Sequence, residues 1–163
     1  MRKLCFMFGH RDTPASVLPD IERAVEKYHL EYGIDEFIVG HHGAFDRMAA
    51  QAVRAVQNRQ KIRLTLLLAY HPSTQKKELL AGYDSVLYPD GMETVPPSIA
   101  LPHANRYMLT RADAVICYVA YAGNTRSLLA QAEKRTQKAD FPLTNLADSV
   151  RPCPIGQEIT ISF

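Results

Sequence analysis

The chain has 163 residues, 47% of them hydrophobic and 22% charged, with a formal net charge of +2. This length suits one domain with a proper core and no need of disulfide staples. The near-neutral balance, with basic residues scattered apart from 76-KK-77 and 134-KR-135, gives no field that would draw DNA or RNA.

The first ten residues, MRKLCFMFGH, lack the long apolar core and small-residue cleavage site of a signal peptide, and they read as a first strand. No apolar run approaches the roughly 20 residues of a membrane helix. Cys5, Cys117 and Cys153 form no Cys-x-x-Cys pair, and two of them fall inside predicted core strands. Reduced thiols in a cytoplasmic protein are the expectation.

In chain order, 3-KLCFMF-8 reads as a buried strand followed by Gly9, His10, Arg11 and Asp12. The stretch 15-ASVLPDIERAVEKYHLEY-32 places Val17, Ile21, Ala24, Val25 and Tyr28 at helical spacing. Pro19 belongs in its first turn and Gly33 at its C-terminal stop. A second strand, 35-DEFIVG-40, precedes a helix over 44-AFDRMAAQAVRAVQNR-59, and 62-IRLTLLLAY-70 is a third strand. The polar connection 71–83 has room for a short helix before a fourth strand at 84–89, and 90–97 is a loop by its Gly and Pro content. A helix over 98–112, a strand over 113–119, a helix over 124–138 and a short strand near 141–146 complete the pattern. Strand-helix alternation predicts an α/β fold: a single Rossmann-like three-layer domain, its mainly parallel sheet covered on both faces. The domain is expected over residues 1–148, with 149–163 a tail or edge strand.

In an open α/β sheet, ligands bind beyond the carboxyl ends of the strands, where strand order reverses. Gly9, His10 and Arg11 follow the first strand; Gly40, His41, His42, Gly43, Asp46 and Arg47 follow the second. His71 follows the third, and Gly123, Asn124, Thr125 and Arg126 follow the fifth. Glycine-opened helices leave backbone N–H groups free for an anion, and Arg11, Arg47, Arg106 and Arg126 are available for phosphate oxygens. Each residue also has a structural reading: turn glycines, Asp46 favouring the helix dipole, Asn124 and Thr125 as caps, histidines as hydrogen-bonding struts. The signal is in the set.

The segments 8-FGHRD-12, 37-FIVGHHGAFDRMAA-50, 103-HANRYMLTRADAVICYV-119 and 123-GNTRSLLAQAEKR-135 resemble the SLOG superfamily. That Rossmann-like group holds the lonely-guy nucleotide phosphoribohydrolases and the DNA-processing Smf proteins. The chain is most similar to a small bacterial SLOG family whose members open with a strand ending in Gly-His-Arg, over roughly residues 3–146. The resemblance implies a nucleotide-type ligand, with Gly40, Gly43 and Asp46 at the glycine-rich join and Gly123, Asn124 and Thr125 at a phosphate-binding loop. A homodimer is compatible with it. Lonely-guy enzymes, however, carry a glutamate shortly after the threonine of that loop. Here Arg126, Ser127 and Leu128 stand in its place, and Arg106 is two positions out of register, so the hydrolase activity is not carried over.

The favoured expectation is a ligand-sensing module holding a nucleotide or nucleotide derivative, with no further cofactor. Phosphate would lie on the glycine loops and arginines, and Asn105 and Asp46 would serve ribose or base. The alternative is a hydrolase of N-glycosidic or phosphate bonds, with His10 or His41 as general acid/base and Asp46 as the stabilising carboxylate. A metal site is not expected: His41 and His42 are adjacent and point apart, and no His-x-x-x-His spacing occurs. Neither a membrane nor a nucleic-acid partner is expected.

Overall fold

The computed structural model describes residues 2–137 and 140–149. Six parallel strands form one sheet: β1 (Leu4–Gly9), β2 (Glu36–Val39), β3 (Arg63–Leu67), β4 (Ser85–Leu87), β5 (Ala114–Tyr118) and β6 (Leu143–Asn145). Their order is β4-β3-β2-β1-β5-β6. The chain therefore steps outward from β1 to β4, then returns to the other flank of β1 for β5. The reversal puts the switch point between the carboxyl ends of β1 and β5.

The helices are α1 (Leu18–Tyr32), α2 (Ala44–Gln57), α3 (Lys77–Ala81), α4 (Ala100–Arg111), α5 (Asn124–Thr136) and α6 (Leu146–Ser149), with four single 3-10 turns between elements. Alternation along the strands divides the core. Cys5, Met7, Phe37, Val39, Ala114 and Ile116 face α1 and α2, whereas Phe6, Phe8, Ile38, Val115 and Cys117 face α4 and α5. The result is a three-layer Rossmann-like domain. Among the described residues, no helix is long and apolar enough to cross a membrane.

Local signals explain most boundaries. Pro19 sits in the first turn of α1, and Gly33 closes it in the left-handed region at φ 71°, its N–H returning to His29. The predicted loop over 90–97 holds two 3-10 turns, Met92–Thr94 and Pro97–Ile99. Helix α6 has no apolar period to announce it. Its start is set by Asn145, whose Oδ1 accepts from Ala147 N and from Val119 N across the sheet. Apart from Ser149, the expected tail or edge strand over 149–163 lies outside the described residues, as does Cys153.

One close approach shapes the region that matters for function. Helix α2 enters directly behind the end of β1, where fully buried Phe45 contributes on the order of 2–3 kcal/mol by leaving water. A Cβ on Gly9 would lie 2.5 Å from the Phe45 ring, and one on Gly43 would lie 2.5 Å from the Arg11 Cα. Gly43 has extended backbone, so it is needed for room, not for conformation. Gly9→Ala and Gly43→Ala are each predicted to lose about 1–3 kcal/mol, a fall of several degrees in Tm. Thermal melts check this; unchanged midpoints would mean that α2 retreats without cost.

Candidate functional site

A cleft of about 520 Å³ opens at the switch point. Its walls are the β1–α1 loop (Gly9, His10, Arg11), the β2–α2 join (Gly40, His42, Gly43, Asp46) and the β5–α5 loop with the first turns of α5 (Tyr121, Gly123, Asn124, Thr125, Ser127). Helix α4 adds Leu101, Asn105 and Arg106, and Phe6, Phe8, Leu67 and Leu128 give an apolar floor. An apolar cavity with a few convergent polar groups is the usual form of a small-molecule site.

The two helices that start at this cleft have opposite states. At α2 the first amides are used within the protein: Ala44 N–H donates to Arg11 O at 2.9 Å and Phe45 N–H to His10 O at 3.4 Å. Asp46 accepts the His42 N–H at 2.9 Å and supplies an acidic side chain in the first turn. The join is thus a turn capped by β1-loop carbonyls and a carboxylate. At α5 the Gly123, Asn124 and Thr125 N–H groups have no hydrogen-bond partner among the described residues. The first turn of α5 carries no acidic residue, and Gly123 adopts φ 154°, where side chains are strained. Its dipole and its amides are open to the cleft mouth.

His10 links the two sides. The residue is only 5% exposed. Its backbone N–H donates to Tyr118 O at the end of β5, and its Nε2 receives the Ala120 N–H at 2.9 Å and the Tyr121 N–H at 3.4 Å. Backbone amides only donate, so Nε2 is the acceptor nitrogen and the ring proton sits on Nδ1. Nδ1 then donates to Thr125 Oγ1 at 3.1 Å. Burial holds the imidazole below its ordinary range, against Asp12, with Arg126 acting in the same direction as burial; the ring is therefore neutral. Because Thr125 Oγ1 accepts from His10, its own hydroxyl proton is directed to another acceptor. The tyrosine next in the loop, Tyr121, stacks flat on the His10 ring and donates to Asp12.

The join holds an unusual group of titratable side chains. Contrary to the expectation that they point apart, His41 and His42 bring their rings together, tilted by 33° with 4.2 Å between centroids, and the Nε2 atom of each is buried without a partner among the described residues. Desolvation lowers His41, and it pushes His42 down to about 4, helped by His41 and Arg11. Burial pushes Asp46 up to about 6, opposed by the His42 amide, Arg11 and Arg47. No group of three or more His, Cys, Asp or Glu among the described residues could hold a metal ion.

The structure brings Gly9, His10, Arg11, Gly40, Gly43, Asp46, Asn105, Arg106, Gly123, Asn124 and Thr125 to one cleft. His41, Arg47 and Arg126 do not line it, although Arg126 lies near enough for its charge to act on His10. His71 is elsewhere, capping the 3-10 turn Pro72–Thr74. Sequence reading did not select Tyr121, Ser127, Gln131 or the apolar floor; a tyrosine directly after a strand at the switch point was the available signal.

No protein-family model and no curated protein sequence matches the chain. Solved structures share the fold. DNA processing protein A from Streptococcus pneumoniae matches with TM-score 0.61 at 18% identity, over 88% of this chain and 50% of its own. The molybdenum cofactor binding protein from the phototrophic bacterium Rippkaea orientalis matches with TM-score 0.58 at 14% identity, over 91% of this chain and 81% of its own. DNA processing protein A from Helicobacter pylori, described for its single-stranded DNA binding mode, matches with TM-score 0.54 at 14% identity, over 86% and 64%. The chain thus spans half the length of the Streptococcus pneumoniae protein. What these proteins share with it is the Rossmann-like fold.

The two shifted groups of the join set opposite pH dependences. Asp46 is raised from 3.8 to about 6, so its contribution to stability is full below pH 3.8 and lost as pH rises through about 6. His42 is lowered from 6.5 to about 4, so its contribution is full above pH 6.5 and lost as pH falls through about 4. Asp46→Asn keeps an acceptor for the His42 amide and removes the costly charge. It is predicted to melt at or above the wild-type temperature near neutral pH, and to lose stability more steeply from pH 6.5 to 4, the gap being on the order of 1–2 kcal/mol. Melting curves across that range check it; a wild-type advantage that grows with pH would contradict it.

Proposed function

We propose that the chain binds a nucleotide or nucleotide-derived small molecule in the switch-point cleft and acts as a ligand-sensing module. The observation that carries this reading is the open N-terminus of α5. Three unpartnered amides at Gly123, Asn124 and Thr125 and an outward-directed Thr125 hydroxyl stand together beside an apolar cavity. All four groups are donors, which is what phosphate oxygens require. Arg11 and Arg106 line the same cleft and have no carboxylate within ion-pair distance among the described residues. In this reading they supply the balancing charge, with Arg126 at the rim. Asn105 serves ribose or base, and the Phe6, Phe8 and Leu128 floor covers the apolar part of the ligand. Gly9 and Gly43 shape the cleft by bringing α2 close to the end of β1 and its loop, and Gly40 leaves room for the Asp46 carboxyl.

A hydrolase is the second reading, and the raised carboxyl of Asp46 at the cleft wall is what favours it. A group poised near neutrality suits general acid or base work. Against it, both ring nitrogens of His10 are engaged by the protein, and among the described residues no second carboxylate lines the cleft. His41 lies off the cleft.

The test is a thermal-shift screen of mono-, di- and cyclic nucleotides, NAD and ADP-ribose, with a single-stranded DNA oligonucleotide alongside because two structural neighbours are DNA processing proteins. A ligand at about 100 times its Kd adds roughly 2.7 kcal/mol, several degrees in Tm. Thr125→Val is predicted to weaken binding about tenfold through loss of the hydroxyl donor. The ligand is expected to be recovered intact. Breakdown that requires Asp46 would move the hydrolase ahead, and no shift with any ligand would overturn the anion site.

A further inference from the structure

We propose that Tyr121 is the stacking platform for the base of the bound nucleotide, a role that rests on the nucleotide reading of the cleft. The inner face of the phenol ring lies on the His10 imidazole at 3.7 Å between centroids with 4° between planes. Its hydroxyl donates to Asp12. The stack fixes the plane of the ring, and the hydroxyl bond fixes its position in that plane. Yet Tyr121 stays 51% exposed and lines the cleft. With the inner face covered and the hydroxyl tied, the exposed part is the outer face and its edge.

This arrangement differs from a tyrosine packed for stability. Here the protein immobilises an aromatic plane and leaves one face bare at the mouth of a ligand cleft. An aromatic fixed before binding loses little entropy when a planar ring settles on it. Its position in the chain adds to the case: Tyr121 precedes the open amides of Gly123, Asn124 and Thr125 by a few residues, so a phosphate on those amides leaves its base beside the platform. Base-on-aromatic stacking tolerates any base, so the platform would favour nucleotides over sugar phosphates without choosing strongly among bases.

The test compares AMP with ribose 5-phosphate, which carries the anion and sugar but no base. Tyr121→Ala is expected to weaken AMP about tenfold and leave ribose 5-phosphate within about twofold. Tyr121→Phe, which keeps the ring and loses the Asp12 bond, should stay within about threefold for both. The chain has no tryptophan, so Tyr121→Trp places a single indole at the platform. Its emission should be quenched by AMP and not by ribose 5-phosphate. Equal loss for both ligands in Tyr121→Ala would reduce Tyr121 to a loop support and overturn the proposal, as would an unchanged AMP affinity. Wild-type binding of ribose 5-phosphate with no gain from the base would also overturn it while leaving the anion site intact. Wild-type binding of neither ligand would overturn both readings together.

Discussion

The buried imidazole of His10 ties the end of β1 to the end of β5, and the geometry of the cleft depends on that tie. The two strands are neighbours, but the loops that leave them diverge to opposite faces of the sheet. A ring that accepts from the Ala120 amide through one nitrogen and donates to Thr125 through the other spans the divergence. Because a backbone N–H can only donate, the tautomer is fixed, and with it the direction of the Thr125 hydroxyl. A neutral ring is needed for this, and burial keeps it neutral. The same engagement leaves neither ring nitrogen of His10 free to carry a proton to or from a ligand.

The second organising feature is the contrast between the two helix starts that line the cleft. The α2 start meets carbonyls of the β1 loop and a carboxylate of its own, so its positive end is already answered. The α5 start meets neither, and the histidine strap holds it in place. A single anion would therefore find one favourable end, not two. The crowded glycines at Gly9 and Gly43 follow from the first of these starts: they let α2 approach closely enough for loop carbonyls to reach its amides.

The fold was legible because each central strand is an apolar run that needs cover on both sides and each long helix repeats its apolar residues at a helical period. The loops that carry the cleft were legible for the same reason: in a sheet of this kind they must lie at the carboxyl ends of the strands. What single residues do inside those loops was not. His10 and Ala120 are 110 positions apart, and no local pattern says that one will satisfy the other. Gly40 and Gly43 look like an anion loop in sequence, whereas the Ala44 and Phe45 amides are filled by carbonyls from a distant loop and the His42 amide by the Asp46 carboxylate. Tyr121 passes in sequence for an ordinary exposed aromatic; only the parallel stack and the Asp12 bond distinguish it. Asn145 similarly gives no sign that it will start α6 and brace Val119 together.

The binding reading of the cleft depends on where an anion touches the protein. The most direct measurement is an amide-resolved NMR titration of the full chain with AMP. The largest shifts are expected at the Gly123, Asn124 and Thr125 amides, with the Ala44 and Phe45 amides nearly still because their protons are already held by Arg11 and His10 carbonyls. Shifts centred on Ala44 and Phe45, or a silent α5 start while AMP binds, would contradict it.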